Sequence, residues 1–108
     1  MNSQKILIGS RKKAFPHDII MLHAEVNYTQ IYFVDGKSLI VATCIKTLEK
    51  RLISSNFFRT HKAFLVNLDY VKSFEKQASG GIIEMSNKQN VAVSRRKCRV
   101  LKKQIFLF

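Results

Sequence analysis

Apolar and polar positions alternate along most of this chain, and Gly, Asn, Asp and Ser interrupt the alternation at short intervals. Pro16-His17-Asp18 opens the pattern ahead of the apolar run Ile19–Leu22. Val26 to Val34 alternates, with Asn27, Thr29, Ile31 and Phe33 on one face and Tyr28, Gln30 and Tyr32 on the other. Asp35-Gly36 then separates it from Ser38–Ala42. An Asp-Gly between two such runs predicts a hairpin with a type I′ turn, because both central positions of that turn need positive φ. Further strands are expected at Phe57–Thr60, Phe64–Asn67, Tyr70–Phe74, Ile82–Met85 and Asn90–Val93, with turns at Ser79-Gly80-Gly81 and Ser86-Asn87-Lys88.

Two stretches carry helical spacing instead. Ile45, Leu48 and Leu52 predict a short helix capped by Thr43, with Lys46, Lys50 and Arg51 outward and Ser54-Ser55-Asn56 as the stop. Cys98, Leu101 and Ile105 predict a second helix capped by Ser94. The tail Ile105–Phe108 reads as a final core strand. Many short strands with regular turns and one or two short helices imply a mainly β fold of short antiparallel sheets. No linker, repeat or low-complexity tract divides the chain, so residues 1–108 read as one domain.

Charge changes the picture most. Nineteen Lys and Arg against seven Asp and Glu give a formal net charge of +12. Such an excess destabilises a compact chain by self-repulsion, and a polyanionic partner relieves it. No acidic residue follows Glu84, whereas Lys88, Arg95, Arg96, Lys97, Arg99, Lys102 and Lys103 do. Arg95, Arg96 and Lys97 stand at the start of the second predicted helix, where positive charge opposes the helix dipole. A phosphate docking there reverses the sign of that penalty, so the segment is read as a phosphate or base contact. The segment Phe57–Phe64 is a second candidate. Phe58 and Phe64 anchor it in the core, and Arg59 to Lys62 form a rigidly held polar tip.

Candidate chemistry adds little. His17, His23 and His61 stand apart, without metal-ligand spacing, and His23 borders an apolar run as a structural histidine does. Cys44 continues the alternation of its strand and reads as a buried thiol, although a position at a helix start lowers a thiol pKa. The carboxylates are scattered singly, which argues against a two-metal nuclease, and no glycine loop cradles a phosphate. No catalytic residue, metal site or cofactor is expected, and the chain reads as a non-enzyme. No apolar run approaches the roughly 18 residues needed to span a bilayer. Met1 to Gly9 shows no h-region and no small-residue cleavage site, so export is not expected, and Cys44 and Cys98 show no disulfide spacing; reduced thiols and a cytoplasmic location are expected.

One stretch is more specific than any of this. Phe57-Phe58-Arg59-Thr60-His61-Lys62-Ala63-Phe64-Leu65-Val66-Asn67-Leu68-Asp69-Tyr70-Val71 resembles the central signature of the LytTR DNA-binding domain, the output domain of many bacterial response regulators in two-component systems. Asp18-Ile19, Ala24-Glu25-Val26-Asn27-Tyr28-Thr29, Thr47-Leu48-Glu49 and Val91-Ala92-Val93-Ser94-Arg95-Arg96-Lys97 agree with it in order, so the match spans about residues 5–103. The resemblance implies a transcriptional regulator that binds double-stranded DNA sequence-specifically, with loops entering successive major grooves at promoter direct repeats. It implies base contacts at Asn27 and Thr29 in the first loop, Lys62 in the second and Arg95 in the third. Lys62 stands where some members carry Asn, and Thr29 where some carry His, so the sequence read can differ while the docking mode holds.

At those positions Arg95 has a bidentate match to guanine, Lys62 a donor for guanine acceptors, and Thr29 a partner for a thymine methyl. Arg59, His61, Ser94, Arg96 and Lys97 are assigned to phosphates, which set register without reading sequence. A homodimer on DNA is an expectation of the same resemblance. Such regulators often carry a receiver domain, so the chain is either a free-standing regulator or a fragment. Two other classes stay open. A basic RNA-binding β protein would stack bases on Tyr28, Tyr32 and Phe33, although RNP-type and GXXG motifs are absent. A protein-interaction module would use the apolar tail.

Overall fold

The run Ile19–Leu22 escapes polar alternation because both of its faces are covered. The computed structural model describes residues 4–105, and there these residues form the strand at the centre of a five-stranded antiparallel sheet. That strand, β3 (Ile19–Ala24), follows a two-stranded ribbon of β1 (Ile6–Leu7) and β2 (Lys13–Ala14) and a 3-10 turn at Pro16–Asp18. Next come β4 (Thr29–Phe33), β5 (Ser38–Val41), α1 (Ile45–Arg51), β6 (Phe57–His61) and β7 (Phe64–Asn67). The sheet order is β5-β4-β3-β7-β6. A 3-10 turn at Leu68–Tyr70 then leads to β8 (Val71–Gln77), β9 (Gly80–Met85) and β10 (Asn90–Val93), a second antiparallel sheet in the order β10-β9-β8, and to α2 (Arg95–Ile105).

Each face of the larger sheet has its own core. Leu22, Ile31 and Leu65 point to the side packed by Ile45, Leu48 and Leu52 of α1 and its C-cap, and by Ile8 of the N-terminal ribbon. Met21 and Val66 point to the other side, against Ile83, Met85, Val91 and Val93 of the smaller sheet and Cys98 and Leu101 of α2. The register agrees: Leu22 stands opposite Ile31 and Leu65, and Met21 opposite Val66. A bulge between Ile19 and Met21 reverses the alternation locally, so that Ile20 joins the second core while Ile19 joins the first. Asn67 is, with Thr29 and Thr60, one of the buried polar residues. Its amide donates to the Ile19 carbonyl at 3.0 Å, and its side-chain oxygen accepts from Asp69 N–H at 3.0 Å, ending β7.

The mainly β architecture with two short helices agrees with the reading of the sequence, and several details differ. The Asp35-Gly36 hairpin is not type I′. Only Gly36 has positive φ, at 90°; its N–H bonds the Phe33 carbonyl at 3.1 Å, and Phe33 N–H bonds Lys37 at 2.9 Å. This is a type I turn with a left-handed residue added, and the side chain of Asp35 steadies it by accepting from Lys37 N–H. The Ser86–Lys88 turn repeats that geometry, with Lys88 at φ 71° in the place of Gly36 and Asn87 in the place of Asp35. Val26 to Tyr28 form a turn ahead of β4 rather than part of the strand. The cap of α1 is Cys44, one residue beyond the expected Thr43. Cys44 is exposed, not buried, because the strand ends at Val41 and its alternation does not reach that far. Ile105 is helical rather than part of a final strand, and the rest of that expected strand, 106–108, lies outside the described residues.

Candidate nucleic-acid interface

Antiparallel pairing decides which loops share an end of the large sheet. Ala24 pairs with Thr29, Thr29 with Val41, His23 with Phe64, and Phe64 with His61. The turn at 25–28, the tip at 62–63 and the entry to α1 at 42–44 therefore crowd one rim. Two backbone hydrogen bonds bind that rim together. Ala24 N–H donates to the Ala63 carbonyl at 2.7 Å, joining the first turn to the tip, and Ser94 N–H donates to the Thr60 carbonyl at 2.8 Å, joining the base of the tip to the start of α2. The chain positions read from the sequence as three separate tips are thus neighbours in an unbroken row.

The tip at 61–63 is braced from within. Arg59 lies on the strand leading into it and donates Nε to the His61 carbonyl at 3.0 Å and Nη2 to the Lys62 carbonyl. Its Nη1 meets Glu49 Oε1 of α1 at 2.7 Å. The planar fork has donors in fixed directions, so one side chain can hold both carbonyls and a carboxylate at once. Arg59 was expected to hold a phosphate; its guanidinium is instead spent inside the protein, and the residue positions the tip. His61 adds a second brace, accepting from Ala63 N–H through Nδ1 at 3.2 Å. Lys62 itself is exposed at the apex.

The start of α2 is arranged as a helix N-terminus should be. Ser94 Oγ accepts from Lys97 N–H at 3.3 Å, the N-cap bond that its position predicts. Arg95 and Arg96 are exposed. Lys97 folds back so that Nζ sits 5.7 Å from the Phe58 ring centroid, a cation–π contact that commits part of its charge to the protein.

Thr29 departs from expectation. It is 1% exposed, and its hydroxyl donates to the Thr43 carbonyl at 2.8 Å. A base contact from this side chain is overturned by that burial. The reason was legible, since Thr29 shares its face with Ile31, which is fully buried in the core under α1. All four residues of the first turn, Glu25, Val26, Asn27 and Tyr28, are exposed, and Glu25 N–H closes that turn on the Tyr28 carbonyl at 2.8 Å. Val26 is 96% exposed, the most exposed large hydrophobic residue among the described residues. Counting it as a strand position hid it from the sequence reading. The neighbouring His23 is half-buried, stacked on Phe64 with ring centroids 4.5 Å apart and with Nδ1 3.5 Å from Glu25.

Other chemistry is thin. Among the described residues no group of three or more His, Cys, Asp or Glu is placed to hold a metal ion. Among the described residues no helix is long and apolar enough to cross a membrane. The Cys44 thiol is pulled below its ordinary pKa, chiefly by the side-chain hydrogen bond with Thr47, whose Oγ1 is 3.2 Å away.

Comparison with known proteins points to one family. The family model described as "LytTr DNA-binding domain" matches residues 10–106. The chain is 33% identical over 67 residues to a CO-responsive transcriptional regulator, RcoM, of Rhodospirillum rubrum, covering 62% of this chain and 28% of that protein. It is 29% identical over 91 residues to the sensory transduction protein LytT of Bacillus subtilis, covering 83% of this chain and 37% of that one. The chain thus spans roughly a third of the length of these relatives. In structure it superposes on the LytTr DNA-binding domain of a putative methyl-accepting/DNA response regulator from Bacillus cereus with a TM-score of 0.78, at 19% identity, over 94% of this chain and 96% of that one. A model that matches almost the whole chain, joined to the same fold and to a rim that brings the turn at 25–28, the Lys62 tip and the cationic start of α2 together, leads to a single assignment: this chain belongs to the LytTr DNA-binding domain family.

Proposed function

We propose that this domain regulates bacterial transcription by reading double-stranded DNA with three adjacent segments: the turn at 25–28, the tip at Lys62 and the start of α2. The observation that carries the proposal is the pair of backbone bonds, Ala24 to Ala63 and Thr60 to Ser94, which hold the three side by side. A rigid row of this kind meets successive major grooves without first ordering a flexible loop, so little conformational entropy is lost on binding. Arg95 takes a guanine through O6 and N7, and Lys62 donates to guanine acceptors in the neighbouring groove. In the first turn Asn27 takes an adenine through N6 and N7, and Val26 replaces Thr29 as the apolar partner of a thymine methyl. His61, Ser94, Arg96 and the part of Lys97 not held by Phe58 contact phosphates and set register. Two copies on direct repeats, one helical turn apart, fit the expectation of paired sites.

Selection of bound duplexes from a random pool, repeated at two salt concentrations, tests the reading. The expected result is a short enriched motif and an affinity that falls with salt, with a log–log slope of about 0.9 per neutralised phosphate. Arg95→Ala is expected to lower affinity for the selected duplex more than for a random one, by about 1–3 kcal/mol of lost discrimination. Equal loss on both would make Arg95 a phosphate contact. A pool that stays random, or single-stranded RNA that competes better than duplex DNA of equal length, overturns the proposal.

A further inference from the structure

Beyond the row of three tips, the positive charge continues along α2 in an ordered way. Arg95, Arg99 and Lys102 recur at i, i+4 and i+7, which aligns them on one side of the helix. Across from them stands Lys76, on β8. Lys76 shares a face with Phe74, which packs on the core, while Glu75 between them points to the opposite face. The four cations, with Gln77 and Ala78, line an open depression of about 210 Å³ between the β8–β9 hairpin and α2.

Two glycines create that depression. A Cβ on Gly80 would lie 2.5 Å from the Val93 carbonyl oxygen, at a φ of +121°, and one on Gly81 would lie 2.7 Å from the Phe74 ring. Their bare backbone lets the hairpin turn close on the first turn of α2, which brings Lys76 to the arginines. Among the described residues none of these four cations forms an ion pair; the only one on this sheet joins Lys72 to Glu84. Four like charges collected around one depression that no acidic residue lines raise the free energy of the unbound protein, and an anion there lowers it.

We propose that Lys76, Arg99 and Lys102 form a phosphate-binding track that extends the DNA contact beyond the groove entered by Arg95. The proposal rests on the duplex-DNA reading above and adds three contacts to it. From Arg95 to Lys102 the helix rises about 10 Å at 1.5 Å per residue. One DNA strand carries a phosphate every 3.4 Å of helix axis, so the track is long enough for about three consecutive phosphates of a single strand. Arginine and lysine stripes of this kind contact the backbone without regard to sequence. The track therefore contributes affinity and salt dependence, and no discrimination.

The test is the triple variant Lys76→Gln/Arg99→Gln/Lys102→Gln, compared with the parent on a selected duplex and on a random one from low to moderate salt. The expected result is a log–log salt slope smaller by about 2–3, with affinity reduced by the same factor on both duplexes. Thermal unfolding guards against misfolding, and removing mutually repelling charges is expected to leave Tm equal or higher. Parent affinity is expected to fall when the duplex is trimmed by about three base pairs on the α2 side, and the variant's is not. An unchanged slope in a folded variant overturns the track. Loss confined to the selected duplex also overturns it, since the residues would then read bases. A parent protein that binds no duplex brings down the DNA reading itself, which the parent's own titration reveals separately.

Discussion

Arg59 is where sequence and structure assign different work to one side chain, and Arg59→Ala distinguishes them. Its side chain is 17% exposed and spans Glu49 and the carbonyls of His61 and Lys62. The bond to the His61 carbonyl is partly buried and the one to Lys62 is exposed, and with a charged donor each contributes about 1 kcal/mol net. The pair with Glu49, whose side chain is 40% exposed, adds only about 0.5 kcal/mol after solvent screening. Truncation is therefore expected to cost about 2–3 kcal/mol, which for a domain of this size lowers Tm by roughly 10–20 °C. Arg59→Lys keeps the charge near Glu49 but loses the planar fork, so about half of that loss is expected. Melting is followed by circular dichroism, and DNA titrations are run well below the lower Tm. The brace predicts weaker binding through a loosened tip with the salt slope unchanged. An unaltered Tm together with a slope smaller by about 0.9 would refute the brace and restore Arg59 as a phosphate contact.

Three further outcomes follow from single features. Thr60 Oγ1 is buried without a hydrogen-bond partner, so Thr60→Val, which keeps the shape and the backbone link to Ser94, is expected to raise stability by about 1 kcal/mol in urea titration; a loss would mean the hydroxyl is satisfied. Lys88 holds a positive φ that Gly36 holds at no steric cost in the equivalent turn, so Lys88→Gly is expected to stabilise by about 0.5–1 kcal/mol despite the added freedom of the unfolded chain, and a lower Tm would count against a strained Lys88. Iodoacetamide is expected to modify exposed Cys44 with a pH midpoint below that of an unstructured cysteine, and Thr47→Ala to move the midpoint up, while buried Cys98 reacts only on unfolding; equal rates for the two thiols would contradict the placement of Cys44.

Much of the fold was legible because its signals are local. The period of two, the helical spacing of Ile45, Leu48 and Leu52, and the Ser94 cap each depend on residues a few positions apart, and β3 to β10 with α1 and α2 stand within a few residues of their expected places, whereas the ribbon of β1 and β2 was not anticipated. The exposed cations Lys62, Arg95 and Arg96 were legible too, since a charged side chain with no acidic neighbour in sequence rarely finds a buried partner. The roles of Thr29 and Arg59 were harder. Thr29 is polar and lies beside exposed turn residues, yet its hydroxyl belongs to Thr43, fourteen positions away. Its shared face with Ile31 was a usable warning.

Residue order by itself determined the β and α elements, the positive balance and where along the chain the cationic segments fall. Tertiary structure alone decided that those segments touch, that a guanidinium faces inward, and that Gly80 and Gly81 let Lys76 approach α2. The difference is physical. A hydrogen-bonding or charged group has several possible partners of similar energy, and which one it takes depends on the distant strand or helix that packing brings within about 3 Å. Periodicity fixes the face on which a side chain lies, and only the meeting of faces fixes what that side chain does.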